Sequence, residues 1–261
     1  MDNIFKIKSN ASFEKNEYGV YIYKSQPKKL DVIYENKQFK KWMNLLHERI
    51  NYYTGKKSIA GKIANLSYMK SKHLSIRGKD DYVLDIGCGD GAVLNYIGGA
   101  STYIGVDRSI DRLNILKQKF PQVTAICADS SDLPLLDGAV KYIYSSHAFE
   151  HLWYLGETVM ECHRCLQENG SMQIIIPTEG GLWNLGRFLF SKRYFSKRCP
   201  ELDFELISHI EHANLAKQVV RTLETFFETK KIYYPLLIPS IYLNLTMSII
   251  CVKKQGIRGV M

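Results

Sequence analysis

Five short apolar runs, interspersed with amphipathic stretches, dominate the middle of the chain and leave few folds open to it. They are "DYVLDI" (81–86), "STYIGVD" (101–107), "VTAICA" (123–128), "VKYIYSS" (140–146) and "MQIIIP" (172–177). Continuous rather than alternating apolarity reads as strands buried on both faces. The stretches near 91–98, 109–119 and 153–168 carry apolar residues at helical spacing. Strand and helix in turn predict an α/β fold, a mainly parallel sheet covered by helices on both sides. Ligands of such sheets lie beyond the carboxyl ends of the strands, near the switch in strand order. Chemistry is therefore to be sought just after each strand.

The chain has 261 residues, 46% of them hydrophobic, enough for one sizeable core with decorations. Residues 1–79 are expected to form a basic arm and a helical extension. The first 35 lack clear periodicity, whereas 36–55 and 59–74 space apolar residues as two helices. The remaining domain is expected over 80–255, with an insertion at about 178–213 forming a cap over the substrate. A helix is expected at about 214–229. The uncharged run 232–252 is long enough to span a membrane, but Pro235, Pro239, Ser240 and Asn244 interrupt it. It reads instead as two strands around a Pro-Ser turn.

The formal net charge of +9 is uneven: residues 1–80 hold 17 Lys/Arg against 7 Asp/Glu, and the rest is nearly balanced. Such an arm suits an anionic partner, nucleic acid or membrane, or simply a solvated face. Six cysteines without framework spacing predict reduced thiols in a cytoplasmic protein. Cys162-x-x-Cys165 falls in a helical stretch with no second pair, so no metal site is expected. The N-terminus lacks the apolar region of a signal peptide.

The turn "VLDIGCGDGA" (83–92) follows the first of the five strands and has the spacing of a dinucleotide fingerprint, Gly87-x-Gly89-x-x-Ala92. Its charge argues otherwise. A pyrophosphate wants bare backbone N–H groups at a helix N-terminus. Here Asp85 ends the strand and Asp90 sits in the turn. A carboxylate about 4 Å from a phosphate costs roughly 4 kcal/mol at an effective dielectric near 20. The same carboxylates favour a cationic adenosyl cofactor such as S-adenosylmethionine. Asp107, at the end of the next strand, is placed to accept from ribose hydroxyls, and Asp129-Ser130 after the third strand to read an adenine edge.

"VLDIGCGDG", "YIGVDRS", "ADSSDLPLLDGAVKYIYSSHAFEHL" and "CLQENGSMQIIIP" resemble, in order and spacing, the successive motifs of class I S-adenosylmethionine-dependent methyltransferases. The resemblance covers roughly 80–177, with the 214–253 segment matching the family's closing elements. It implies a seven-stranded, doubly wound, Rossmann-like sheet with an antiparallel C-terminal strand. It implies that Asp85, Gly87 and Gly89 line the methionine moiety, that Asp107 holds the ribose, and that Asp129 and Ser130 meet the adenine. Arg108 stands where the family often has an apolar residue and is expected to stack on that ring. Ser146, ending the fourth strand, joins the cofactor set. Lys141 replaces a common aspartate, which puts local packing in question. Gly91, Ala92, Cys88, Asp132 and Asp137 are expected to serve packing, turns or capping.

Methyl transfer to a hydroxyl needs alignment, exclusion of water and a base. "SSHAFEHLW" after the fourth strand supplies His147 and His151 as catalytic candidates, imidazole titrating near neutrality. His209 and His212, three residues apart, are expected to share a helix face if they meet substrate. The segment 181–198 mixes five aromatics with five basic residues and no acid. It suits either a cap packing its aromatics inward or an interfacial segment in peripheral contact with anionic lipid. The expected activity is methylation, at oxygen, of a small-molecule, glycan- or lipid-linked acceptor. Rival readings are an RNA or DNA methyltransferase using the basic arm, a non-catalytic cofactor-binding partner, and an NAD-dependent dehydrogenase, which Asp85 and Asp90 disfavour. Amino-methylating enzymes usually carry an Asn/Asp-Pro-Pro-aromatic run after strand four, where this chain has Ser145-Ser146-His147-Ala148.

Overall fold

Each of the five expected strands forms, and all five lie side by side with their carboxyl ends on one edge. The computed structural model describes residues 7–24, 36–54, 80–97, 102–186, 192–201, 203–236, 238–254 and 256. The five strands are β3 (Val83–Ile86), β4 (Tyr103–Asp107), β5 (Thr124–Cys127), β6 (Val140–Ser146) and β7 (Leu166–Pro177). They pair in parallel in the order β5-β4-β3-β6-β7. The strand order therefore reverses between β3 and β6, and the crevice for a ligand opens there.

Among the described residues the sheet has nine strands, two more than the resemblance implied. The extra pair comes from the arm. β1 (Phe13–Lys15) and β2 (Tyr21–Tyr23) form a hairpin whose second strand runs parallel to β5. Strands of three residues are too short for a period-two signal, and Asn16 sets the turn between them by accepting from the N–H groups of Tyr18 and Val20. The hairpin covers the β5 edge, which would otherwise present unpaired backbone groups. At the other edge β9 (Thr246–Lys253) runs antiparallel to β7, and β8 (Phe227–Tyr233) antiparallel to β9.

The expected C-terminal hairpin thus exists, but its first strand starts at Phe227, inside the span read as helix. Glu228, Lys230 and Lys231 on that strand are exposed, as suits an edge strand, and this polar pattern hides it from a search for buried strands. Among the described residues no helix is long and apolar enough to cross a membrane.

Alternate residues of each strand feed opposite cores. Leu84, Ile86, Ile104 and Val106 pack on one face with α4 (Leu155–Cys165) and α8 (Ala216–Phe226). Val83 and Tyr103 pack on the other with α2 (Leu94–Ile97) and α3 (Ile110–Lys119). Cys162 and Cys165 are both fully buried on α4, and burial pushes the Cys165 thiol up to about 12, so the pair acts as core. At Lys141 the β6–β7 register shifts between Val140 and Tyr142.

A third core lies above the strand tips. Trp42 of α1 (Lys37–Thr54) stacks on Phe195 of α6 (Arg193–Arg198) with ring centroids 3.9 Å apart. Phe204 and Ile207 of α7 (Phe204–Glu211) complete it. Part of the 1–79 extension and part of the 178–213 insertion thus pack on each other. The second expected helix, 59–74, lies outside the described residues.

Candidate active site

The turn after β3 passes through three left-handed glycines, Gly87 (φ +69°), Gly89 (φ +52°) and Gly91 (φ +78°). A Cβ on Gly87 would sit 2.4 Å from the Cβ of Ala148, and one on Gly91 2.4 Å from Leu116 Cδ1. The N–H groups of Gly87 and Cys88 both donate to the carbonyl of Val106, fastening the turn to β4. Asp107 ties the next two turns together: Oδ2 accepts from Gly89 N–H at 2.9 Å and Oδ1 from Ser109 N–H at 2.8 Å. Each of these oxygens keeps a further lone pair, which suits ribose hydroxyls.

Asp85 is buried, 2% exposed. Tyr103 Oη donates to its Oδ2, while Oδ1 has no partner. Gly105, next along β4, makes this possible. Its missing side chain leaves room for Cys88 Sγ and the Tyr103 ring, which would lie 2.7 and 3.1 Å from a Cβ there. Burial pushes the Asp85 carboxyl up to about 8, the Tyr103 hydrogen bond opposing and the Asp107 charge adding. Beside it lies a cavity of about 40 Å³ lined by Asp85, Gly87, Cys88, Ala92, Val93, Tyr144 and Ser146. Ligand pockets are usually about 300 Å³ or more, so this cavity by itself is too small to hold a whole cofactor.

Beyond β5, Arg108, Asp129 and Ser130 already have partners within the chain. Arg108 Nη1 donates to Asp129 Oδ2 at 3.1 Å, and Asp129 Oδ1 accepts from the N–H and hydroxyl of Ser131. The side chain of Ser130 turns away to Thr158, 3.0 Å between hydroxyls. Asp90 is half exposed and ion-paired with Lys119, so it adds little charge to the turn. Ala92 lines the cavity rather than packing. Asp132 meets Lys8 and Tyr23, and Asp137 meets Arg164, as structural residues.

Beyond β6 the chain enters His147 with φ +53°, a strained backbone for a residue with a Cβ. Ser146 Oγ is 2.9 Å from His147 Nδ1, linking the cavity wall to this ring. Burial, with His151 and His212 nearby, lowers the His147 imidazole to about 4. A 3-10 turn (Phe149–His151) follows, pinned by Asn214 Nδ2 to the carbonyls of Phe149 and Leu152. Glu150 is 2% exposed, its Oε2 has no partner, and burial pushes it up to about 7.

His151 and His212 meet edge to face, 4.8 Å between ring centroids. α7 ends at Glu211, so His212 leaves the helix and does not share a face with exposed His209. His212 Nδ1 lies 2.6 Å from Oε1 of Glu179, a left-handed residue (φ +52°) after β7. Sequence reading missed Tyr103, Glu179 and Glu211. Nothing in spacing brings together segments 60 residues apart.

The residues present fit an adenosyl cofactor. Asp85 lines a small cavity and has one oxygen without a partner, Gly87 admits no side chain, and Asp107 offers ribose acceptors. A family model described as a methyltransferase domain matches residues 84–174. A Mycobacterium tuberculosis protein described as a "probable S-adenosylmethionine-dependent methyltransferase" is 31% identical over 96 residues, 36% of this chain and 35% of that protein. A Mycolicibacterium smegmatis relative of similar description is 29% identical over 131 residues, 48% of this chain and 51% of that one. The chain thus spans about a third to a half of the length of these relatives. Among solved structures, a Pyrococcus horikoshii protein aligns with TM-score 0.55 at 16% identity, covering 77% of this chain and 94% of its own. Geranyl diphosphate C-methyltransferase from Streptomyces coelicolor, solved with Mg2+, geranyl diphosphate and S-adenosyl-L-homocysteine, aligns with TM-score 0.52 at 16% identity, covering 73% and 80%. The fold, the glycine turn with its two aspartates and these likenesses agree: residues 84–174 are similar to a methyltransferase domain, carried on an α/β sheet of the kind found in solved methyltransferases.

Proposed function

We propose that the protein transfers a methyl group from S-adenosylmethionine to a hydroxyl of a small-molecule, glycan- or lipid-linked acceptor. The observation that carries this reading is the continuity of cavity and cluster. Ser146 lines the cavity beside Asp85 and contacts His147, and the His151–His212 pair follows immediately. The cofactor supplies a methyl carbon already activated by a sulfonium. The chain's residues hold its cationic head at Asp85, orient its ribose at Asp107, and present the acceptor oxygen under the cap, where the His/Glu cluster assists loss of its proton. The new carbon–oxygen bond forms as the carbon–sulfur bond breaks, the electron pair going to sulfur.

A greasy acceptor is favoured by Leu185 (53% exposed), Ile238 (48%) and Tyr242 (60%). Gly181, opening α5 (Gly181–Gly186), approaches the Tyr242 carbonyl, so the first and last of these lie on neighbouring segments beside the cap. This surface also supports peripheral contact with an anionic membrane. Against nucleic acid as acceptor, three described lysines of the arm are ion-paired within the chain: Lys8 with Asp132, Lys24 with Glu14 and Lys41 with Glu201. The test is incubation with methyl-labelled S-adenosylmethionine and separated lipid, glycan, polar-metabolite and nucleic-acid fractions of the host cell. Label in one of the first three, stable to base-catalysed ester cleavage as an ether is, supports the reading. Label confined to nuclease-sensitive material, or to none, defeats it.

A further inference from the structure

We propose that His151, His212 and Glu211 form a binding site for one divalent transition-metal ion, Zn2+ or a neighbour in the first row, at the acceptor side of the crevice. One ligand atom from each of the three lies within 4.8 Å of the others. The ring nitrogens are already sorted. His151 Nδ1 faces the Glu211 carbonyl oxygen at 2.6 Å, and His212 Nδ1 faces Glu179 Oε1 at 2.6 Å. Each Nδ1 is therefore the donor in these contacts, and Nε2 is the ring atom placed to bind an ion. Metal-bound histidines are held in this way, the second nitrogen donating to a carbonyl or carboxylate that fixes the tautomer and orients the ring.

The carboxylate is sorted too. Glu211 is 6% exposed, and its Oε2 accepts from Trp42 Nε1 at 2.9 Å, which leaves Oε1 facing His212 Nε2 at 3.8 Å. Ligands about 2.1 Å from one ion in a tetrahedral site lie about 3.4 Å apart, so the 3.8 Å pair is near that spacing and the widest separation, 4.8 Å, must close by about 1.4 Å on binding. On the far side, Glu150 Oε1 is 3.8 Å from His151 Nε2. Independent of the triad, two buried carboxylate oxygens in the same place, Glu150 Oε2 and Glu179 Oε2, have no hydrogen-bond partner. Buried polar oxygens without partners are costly, and a bound cation would supply what they lack. Two imidazoles and a carboxylate select first-row transition ions over Mg2+ or Ca2+.

Three protein ligands leave coordination positions open. On the reading that an acceptor hydroxyl enters here, such a position takes that oxygen and lowers its pKa. The test is separate from methyl transfer: Zn2+ titration of the untagged, chelator-stripped full chain by calorimetry, and Co2+ titration by visible absorption. The expected result is one ion per chain, with affinity lowered at least about tenfold in His151→Ala, His212→Ala and Glu211→Gln. Glu179→Gln, which touches only the outer hydrogen bond, should cost about 10–100-fold. Exposed His209→Ala should change nothing. Where an alanine variant fails to fold by circular dichroism, Glu179→Gln and the wild-type Co2+ spectrum decide. Absence of binding, or binding undiminished by these changes, overturns the site. Zn2+ binding with no S-adenosylhomocysteine binding would instead defeat the methyltransferase reading and leave the metal site standing.

Discussion

Replacing Asp85 by Asn should stabilise the empty protein while disabling it. The carboxyl is 2% exposed, one oxygen lacks a partner, and burial holds its pKa at about 8. The folded state therefore keeps a proton that the unfolded chain releases near pH 4. Between those two values each pH unit removes about 1.4 kcal/mol of stability, and the loss is complete above the folded pKa. At pH 7, about three units up this slope, the cost approaches about 4 kcal/mol as a ceiling, since relaxation around the ionised group reduces it. Asn keeps an acceptor for Tyr103 Oη and never ionises. Its melting temperature should exceed wild type by a margin that grows from pH 5 to pH 8 and reaches several degrees, at about 2–4 °C per kcal/mol for a chain near this size. Calorimetry at pH 7.5 should show S-adenosylmethionine binding weakened at least about tenfold in the same variant, because the anion that meets the ammonium is gone. Thermal scans giving the same difference at every pH, or full cofactor affinity in the variant, would refute the assignment of Asp85 as a buried, ligand-ionised carboxyl.

Gly87→Ala forces a Cβ to 2.4 Å from that of Ala148 at φ +69°. It should cost about 1–2 kcal/mol for the left-handed backbone alone and weaken S-adenosylhomocysteine binding by more than tenfold. Ala148→Gly in the same chain should recover part of both, measured by thermal scan and calorimetry. Trp42→Phe keeps the stack on Phe195 but leaves Glu211 Oε2 without its donor, and should lower stability by about 1–3 kcal/mol in chelator-containing buffer. Adding Glu211→Gln should make the two losses clearly less than additive in denaturant titrations, and strict additivity would mean the indole bond contributes nothing.

The sheet was legible because its central strands are buried on both faces, and runs such as Ile174-Ile175-Ile176 admit few other placements. The placement of Asp85, Gly87 and Asp107 was legible for a related reason: they are local to strand ends whose order the alternation predicts. The arm was not legible. β1 and β2 are three residues long and are held by pairing with β5, a tertiary cause that no local pattern reports. β8 went unread because an edge strand needs apolar residues on one side only. The acceptor side was half visible. His147 and His151 follow a strand and draw attention, whereas Glu179 and Glu211 reach the same place from beyond β7 and from the end of α7. His209 and His212 looked paired on a helix, but the helix stops between them.

The measurement that bears most directly on this account is isothermal calorimetry of the full chain with S-adenosylhomocysteine and, in parallel, with NADH. One site per chain for the adenosyl ligand, lost in Asp107→Ala, with no heat from the dinucleotide, is the predicted outcome. Tight binding of NADH alone would contradict it.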